Sequence, residues 1–350
     1  MPQLDGLRAL AVTAVVVQHY QILVGGAGYG VHLFFVLSGF LITGILLVER
    51  KNVARGVPRT RAFRQFYIRR LLRIFPLYYF VVLVGIALNA SYAREYAPWL
   101  LTYTINLKMA AQGWYIANFA HFWSLAIEEQ YYLVWPWLIL LLPRRWLIPS
   151  AVITTAIGPL FRLFLIRHQI YGDTWLAGYI ATPTALDSLG MGSLIAILMR
   201  TESTAERLRR WVRWPVALVS LALVIVLNLL WATPIHFVLL DTASAVFFGW
   251  VIYRASQGFG GLAGAFLAAA PIVFIGRISY GIYVYHPLVP TVVAKVGGRF
   301  GLQPLADNWR SGLFYSALTL FAATISWYAL ERPINQLKRK FPYVTRATPA

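Results

Sequence analysis

Long apolar runs separated by short basic stretches set the limits on what this sequence can fold into. Of its 350 residues, 59% are hydrophobic and only 12% are charged, which is more apolar side chain than a soluble domain of this length buries. Apolar runs of about 17–25 residues are long enough to cross a bilayer as helices. The sequence therefore predicts an all-α, polytopic integral membrane bundle of about ten transmembrane helices, near residues 8–24, 31–48, 74–91, 124–142, 147–165, 184–199, 214–231, 238–253, 271–294 and 311–330.

The basic residues predict the orientation of this bundle. The segment 49–73 carries nine Lys and Arg residues, and cytoplasmic loops are enriched in such residues. If residues 92–123 stay outside as a loop or re-entrant hairpin, the basic clusters at 144–145, 200–213 and 338–340 also lie inside, whereas a crossing at 92–123 would place the first two outside. We therefore expect both termini in the cytoplasm. The formal net charge of +19 then belongs to membrane loops and indicates no nucleic-acid partner.

Cysteine and histidine usage narrows the chemistry. Cysteine is absent, which excludes disulfides, thiolate metal sites and a cysteine nucleophile. His32, His121, His168 and His236 have no HxxxH or similar spacing, so no metal site is predicted. The first apolar run has no small-residue cleavage site and a second run follows at once, so we expect a retained transmembrane helix and not a signal peptide.

Two ionisable residues stand out in the first run, "LDGLRALAVTAVVVQHY" (residues 4–20). Eleven residues of helix bring His19 to within roughly 20° of the face of Arg8 and about 16 Å further along. With the N-terminus inside, we expect Arg8 near the cytoplasmic mouth and His19 deep in the membrane. Ionisable residues in spans usually mark function, although a snorkelling arginine and a packing histidine would also account for them.

The next two signals allow two interpretations each. Ser38 lies in "FFVLSGFLITG" (residues 34–44), where a small residue favours close helix packing, and where a nucleophilic serine is the alternative. Arg69 and Arg73 in "YIRRLLRIFP" share a helical face, with Arg70 adjacent. These arginines fit either an anchor on lipid headgroups or a clamp for a phosphorylated cytosolic cofactor.

Polar residues also concentrate in "HFWSLAIEEQYYLVWPW" (residues 121–137) and "GRISYGIYVYHPL" (residues 276–288). In the first segment Ser124 and Glu128 are spaced by one helical turn, and Glu129 is the second of two adjacent glutamates, one more than a helix N-terminus needs. The predicted topology puts this segment on the outer side. In the second segment, Ser279, Tyr283 and His286 share one helical face. These side chains could belong to a functional site, or they could form an aromatic packing face in which the histidine is hydrogen-bonded.

Taken in order, these segments resemble the acyltransferase 3 family of bacterial integral membrane O-acyltransferases. The resemblance covers nearly the whole chain and rests on the arginine–histidine spacing of the first run, "FFVLSGFLIT", the basic triplet, "WSLAIEEQYY", "SYGIYVYH" and a closing "ERP". It implies a multi-pass protein of the bacterial cytoplasmic membrane. It further implies transfer of an acyl group, often acetyl, from acyl-CoA to a hydroxyl of a cell-envelope carbohydrate or glycolipid, or of a secondary metabolite such as a macrolide.

The resemblance also implies roles for individual residues. The histidine at the position of His19 is catalytic, the arginine at the position of Arg8 is essential, and the basic triplet engages coenzyme A, here Arg69, Arg70 and Arg73. A neutral histidine can act as a general base on the acceptor hydroxyl, and a transient acyl-histidine is the alternative route. We expect Glu128 to take part in catalysis and four residues to bind the acceptor: Ser124, Glu129, Tyr283 and His286.

Several family members carry a fused extracytoplasmic hydrolase-like domain, and this sequence ends about twenty residues after its last predicted span. We therefore expect one acyltransferase domain over residues 1–335 and a short basic cytoplasmic tail over 336–350. Such a chain would act alone or with a separate extracytoplasmic partner.

A function of a different class would also use buried arginine, histidine and glutamate. A proton-coupled transporter or a lipid-linked sugar flippase would be expected to show paired halves, and the sequence shows no such pairing. A purely structural or sensor role leaves the intramembrane ionisable residues unexplained.

Overall fold

The computed structural model describes residues 1–22, 27–116, 118–168, 176–200, 202–231, 233–302, 305–306 and 308–343. Within these ranges the regular structure is helical and no strand occurs, which confirms the predicted all-α class. Part of the predicted cytoplasmic tail, residues 344–350, lies outside the described residues.

The α-helices are numbered in chain order. The first nine are α1 Pro2–His19, α2 Ala27–Ala54, α3 Arg59–Ala87, α4 Ala97–Leu101, α5 Ile105–Gln112, α6 Phe122–Leu141, α7 Leu147–Arg167, α8 Ala177–Ile180 and α9 Leu186–Arg200. The others are α10 Glu202–Trp211, α11 Trp214–Leu229, α12 Pro234–Gln257, α13 Gly261–Ala268, α14 Ala270–Tyr285, α15 Leu288–Arg299, α16 Trp309–Ser326 and α17 Arg332–Gln336. A π-helical turn, Trp327–Glu331, joins α16 to α17, and a 3-10 helix, Leu337–Lys340, follows α17.

Six helices in the described part of the chain are long and apolar enough to cross a membrane, or seven if α13 and α14, bent by 53°, form one broken span. The protein is therefore a multi-pass membrane protein, and the number ten stays a prediction. The helices α1 and α6 are not among the six. Charged residues lower their mean hydropathy, Asp5 and Arg8 in α1 and Glu128 and Glu129 in α6. Ionisable residues within such helices usually face the interior of the bundle and mark functional positions.

Helix α1 runs over Pro2–His19, so it begins and ends several residues before the span predicted near 8–24. The helix stops where Tyr20 takes a non-helical backbone conformation and Gln21 enters the left-handed region with φ of 53°. His19 is consequently the last helical residue, and its side chain is exposed. The depth of His19 in the membrane stays a prediction, and the structure places the residue at the C-terminal end of α1.

Two other sequence expectations concern helix continuity. The run predicted as one helix over 271–294 is two helices, because α14 ends at Tyr285 and Pro287 separates it from α15. In the segment 92–123, by contrast, the described residues before α6 form only the short helices α4 and α5 and a 3-10 turn. That arrangement agrees with a loop or re-entrant segment rather than a crossing.

Small residues let the long helices approach closely. A Cβ atom on Gly39 of α2 would clash with the backbone carbonyl of Leu189 in α9, and one on Gly192 of α9 would clash with the carbonyl of Val36. The serine–glycine pair at 38–39 therefore does mark a close helix–helix contact, as its composition predicted. Helices α2 and α9 form the most extensive helix pair of the bundle, and α1 packs between α2 and α14.

A buried ionic network joins four of these helices. Arg162 of α7 pairs with Asp187 of α9 and, at 3.0 Å, with Asp241 of α12, while His32 of α2 lies 3.1 Å from the other oxygen of Asp241. The side chains of Arg162 and Asp187 are 1% and 0% exposed. A buried charge is tolerated only when it is paired and hydrogen-bonded, and this network supplies both conditions.

Candidate active site

A cavity of about 180 Å³ opens between α1, α2, α3, α6 and α14. Six of the residues singled out in the sequence line it, Arg8, Arg70, Arg73, Ser124, Glu128 and Tyr283, as do Ser38 and Ser279. The other four, His19, Arg69, Glu129 and His286, are not among its lining residues. Residues from five separate helices thus meet at one place, which supports the interpretation of these segments as parts of one site.

The cationic end of the cavity is formed by Arg8 of α1 with Arg70 and Arg73 of α3. The Arg8 guanidinium pairs with Asp5 at 2.5 Å, one helical turn earlier on α1. Sequence reasoning did not assign a role to Asp5, although its spacing of three residues from Arg8 was visible. The Arg70 guanidinium lies 5.7 Å from the centre of the Tyr132 ring. Three guanidinium groups at one end of a cavity suit an anionic ligand.

The middle of the cavity holds a carboxylate with hydroxyl neighbours. The Ser38 hydroxyl donates to Glu128 Oε1 at 2.5 Å, and the Tyr132 hydroxyl donates to Ser38 Oγ at 3.0 Å. Ser38 and Glu128 are 90 residues apart in the sequence, and folding brings this carboxylate to the Ser38 hydroxyl. The positive charges of Arg70 and Arg73 also act on Glu128, so this carboxylate partly balances the cationic end.

The opposite end of the cavity leads to a histidine through two hydroxyls. The Ser124 and Tyr283 hydroxyl oxygens lie 2.6 Å apart, and each hydroxyl reaches the backbone carbonyl of His121, at 3.2 Å and 2.8 Å. Both side chains are almost fully buried. The rings of Tyr283 and His121 are 5.5 Å apart between centroids, so the polar lining of the cavity continues into a cluster of imidazoles.

Three histidines from different parts of the chain form this cluster. The ring centroids of His19 and His286 are 4.8 Å apart and those of His121 and His286 are 5.3 Å apart, both pairs edge to face. His121 and His286 are 5% and 0% exposed, whereas His19 is exposed. Sequence reasoning noted His121 only as a residue without metal spacing. Its position directly before α6 and the polar residues of that helix was the sequence signal that could have indicated a place in the site.

Backbone carbonyls set the tautomer of each ring. His19 Nδ1 lies 2.9 Å from the Val15 carbonyl oxygen, and His286 Nδ1 lies 2.7 Å from that of Tyr283. Because a carbonyl oxygen only accepts, each of these nitrogens carries the proton of the neutral ring, and Nε2 keeps a free lone pair. In His121 the roles are exchanged, since Nε2 lies 3.3 Å from a carbonyl oxygen. Of the three imidazoles, only that of His19 is exposed.

Of the four predicted site residues that do not line the cavity, Arg69 and Glu129 are also outside the histidine cluster. Arg69 Nη1 donates to the backbone carbonyls of Lys338 at 2.9 Å and Phe341 at 3.0 Å, so the basic triplet divides between the cavity and the C-terminal segment. Glu129 lies near Tyr103 and Tyr280, and within the described part of the chain its buried Oε1 has no hydrogen-bond partner. Among the described residues, no cluster of three or more His, Cys, Asp or Glu side chains could hold a metal ion.

Comparison with known proteins gives a family match over most of the chain. A family model described as an acyltransferase domain matches residues 1–330. The peptidoglycan O-acetyltransferase OatA of Listeria monocytogenes is 28% identical over 96% of this chain and 56% of its own length. The O-acetyltransferase OatA of Staphylococcus aureus is 27% identical over 96% of this chain and 57% of its own length. The chain thus spans somewhat more than half of each of these relatives, and no solved structure matches it.

Proposed function

This chain belongs to the acyltransferase domain family, and from that membership we propose that it transfers an acetyl group from acetyl-CoA to a hydroxyl of a cell-envelope carbohydrate. The family membership makes it an acyltransferase that crosses the membrane several times. The donor, the acceptor and the placement in the bacterial cytoplasmic membrane are proposed. The relative from Listeria monocytogenes, a peptidoglycan O-acetyltransferase by name, makes a peptidoglycan sugar the first acceptor to test.

The observation that carries the proposal is that different parts of the site lie at the two ends of α1. Arg8, with Arg70 and Arg73, forms the cationic end, and His19 stands at the other end of the same helix. Eleven residues of α-helix separate the two by about 16 Å. The positive-inside rule predicts that the basic segment 49–73, which covers the end of α2 and the first half of α3, faces the cytoplasm. A donor whose phosphates bind at the arginines would then direct its thioester along the cavity toward the histidines.

The chemistry that we propose uses the free Nε2 of His19. This nitrogen removes the proton of the acceptor hydroxyl, and the oxygen attacks the thioester carbonyl carbon. The carbon–sulfur bond breaks, and the coenzyme A thiolate leaves and takes the proton back from His19. The Val15 carbonyl holds the Nδ1 proton and so keeps Nε2 available throughout. In the alternative route the acetyl group passes first to His19 Nε2 and then to the acceptor oxygen.

Two acidic residues support this arrangement. Glu128 accepts from Ser38 and balances the charges of Arg70 and Arg73, which prevents the cationic end from being a bare cluster of like charges. Asp5 fixes the Arg8 guanidinium from its own helix. Neither carboxylate lies at the histidine cluster, so the base of the proposed reaction is an imidazole.

The test is an assay of membranes that contain the wild-type chain or His19→Ala, with acetyl-CoA and peptidoglycan oligosaccharides or a macrolide as acceptors. The expected result is release of free coenzyme A thiol and a product heavier by one acetyl group, both lost in the variant. A folded His19→Ala protein that acetylates at the wild-type rate would overturn the mechanism. Wild-type membranes that consume no acetyl-CoA with any acceptor would overturn the proposed activity. A comparison of native membranes with the purified chain tests for a separate extracytoplasmic partner.

A further inference from the structure

The chain after the last long helix folds back onto α3. Helix α17 and the 3-10 helix Leu337–Lys340 both pack against α3. Arg69 is the residue that holds this segment, because its Nη1 donates to the carbonyls of Lys338 and Phe341. Its guanidinium carbon also lies 4.4 Å from the centre of the Tyr343 ring. Burial raises the pKa of Tyr343, so its ring meets the guanidinium as a neutral phenol in a cation–π contact.

This docking places one lysine among the arginines of α3. The Lys338 ammonium is half-buried and lies where the positive charges of Arg69, Arg70 and Arg73 all act on it. Its Nζ donates to the side-chain oxygen of Asn335. The next basic residue but one, Lys340, is exposed. The fold therefore holds one particular lysine against like charges, which disfavours its charged ammonium form unless an anion binds there.

We propose that Lys338 is a fourth cation for the phosphates of the acyl donor, beside Arg70 and Arg73, and that Arg69 is the positioning residue that holds it there. Guanidinium groups and ammonium groups both bind phosphate oxygens, the first as a planar fork and the second as a compact point charge. Arg70 and Arg73 line the cavity, and the lysine extends this cationic surface from α3 onto the C-terminal segment. This inference rests on the proposed use of acetyl-CoA.

The test compares Lys338→Ala with the matched variant Lys340→Ala in the full chain. Their KM values are measured for acetyl-CoA, for 3′-dephospho-acetyl-CoA and for acetyl-pantetheine, which has no phosphate. We expect Lys338→Ala to raise the KM for acetyl-CoA roughly tenfold with little change in kcat, and Lys338→Arg to restore most of it. The KM for acetyl-pantetheine should be the same in all variants. The inference is overturned if Lys338→Ala raises the KM for acetyl-CoA and the KM for acetyl-pantetheine equally. It is also overturned if Lys338→Ala and wild type have the same KM for acetyl-CoA.

Two further measurements separate this inference from its alternatives. The KM comparison is repeated in vesicles of phosphatidylcholine alone and of phosphatidylcholine with phosphatidylglycerol. An effect of Lys338→Ala that persists in the neutral vesicles supports the donor phosphates, and one confined to anionic vesicles assigns the lysine to lipid headgroups and overturns the proposal. Equilibrium dialysis with coenzyme A needs no turnover. If the wild-type protein consumes no acetyl-CoA, the proposed function fails. The dialysis still tests this inference, which is supported if Lys338→Ala binds coenzyme A more weakly than wild type and overturned if the two bind it equally.

Discussion

The imidazole of His19 meets the imidazole of His286 edge to face, with ring centroids 4.8 Å apart and an angle of 78° between the ring planes. His19 is exposed at the end of α1, and His286 is fully buried at the end of α14. The Tyr20 hydroxyl, next to His19, donates to the His286 carbonyl at 2.5 Å. The ends of α1 and α14 are thereby tied together beside the proposed base, so His19 is held by contacts that its own helix does not provide.

His286→Asn should therefore lower kcat without abolishing activity. The ring that packs against His19 is lost, and the base is held less firmly, so we expect a reduction of roughly tenfold, against 10²–10⁴-fold for His19→Ala. Initial rates of coenzyme A release measure both. His168→Asn is the matched control, because His168 is exposed beyond α7 and packs only against Phe164 among the described aromatic contacts. A His286→Asn enzyme with full kcat would show that the ring contact does not position His19.

Glu128→Gln tests the carboxylate inside the cavity. The substitution keeps an oxygen that can accept from Ser38, but it removes the negative charge that faces Arg70 and Arg73. With its counter-charge gone, the cationic end should still bind the donor phosphates, while the charge balance around the thioester changes. We expect kcat to fall by about 10-fold to 100-fold and the KM for acetyl-CoA to stay the same or fall.

Glu129→Gln is the matched control for that substitution. Glu129 is adjacent in sequence and is not among the residues that line the cavity, so the same chemical change should reduce kcat less. Steady-state kinetics of the two variants, measured in the same membranes, make the comparison. A larger loss of kcat in Glu129→Gln than in Glu128→Gln would assign the catalytic contribution to Glu129, on the side of α6 near Tyr103 and Tyr280.

Much of this site could be predicted from the sequence, because helical spacing fixes which residues of one helix share a face. A helical rotation of about 100° per residue is enough to predict that Arg8 and His19 share one face, and that Ser124 and Glu128 share another. The contact of Ser38 with Glu128 depends on how α2 and α6 are set against each other, which no local pattern encodes.

The same limit applies to two features of the structure that no local sequence pattern encodes. Helix α1 ends because Gln21 adopts a left-handed backbone conformation. The sequence stays apolar past this point, so hydropathy does not indicate the helix end. The division of the basic triplet is decided by a segment at the other end of the chain, since Arg69 binds the carbonyls of Lys338 and Phe341. Hydropathy and charge counts predict neither the backbone conformation of Gln21 nor the tertiary contact of Arg69.

Gly39→Ala should disrupt the pairing of α2 with α9. A Cβ atom at this position meets the Leu189 carbonyl oxygen, and backbone cannot move aside as a flexible side chain can. We expect a loss of stability of about 1–3 kcal/mol, seen as a lower Tm in detergent and less folded protein. Gly44→Ala is the control on the same helix, because its Cβ would lie 3.5 Å from the Arg200 side chain, at ordinary contact distance. Equal Tm values for the two variants would contradict the close approach.

Asp187→Asn should unfold the bundle more readily than any of the substitutions above. Asp187 is 0% exposed and pairs with Arg162, and it also accepts from Thr242 at 2.8 Å. The amide leaves a buried guanidinium with one carboxylate, Asp241, in place of two. Removing one partner of a buried pair costs about 3–5 kcal/mol, and the remaining carboxylate should hold the loss to the lower end of that range.

The comparison with Arg167→Ala makes this last prediction specific. Arg167 ends the same helix as Arg162 and is exposed, so its removal should leave Tm nearly unchanged, as expected for a surface charge. Urea or thermal unfolding in detergent measures the difference. The network lies outside the cavity lining, so the Asp187→Asn protein that remains folded should keep the wild-type KM for acetyl-CoA. A raised KM with an unchanged Tm would instead mean that Asp187 and Arg162 belong to the site itself, because a purely structural network changes the amount of folded protein and not its affinity.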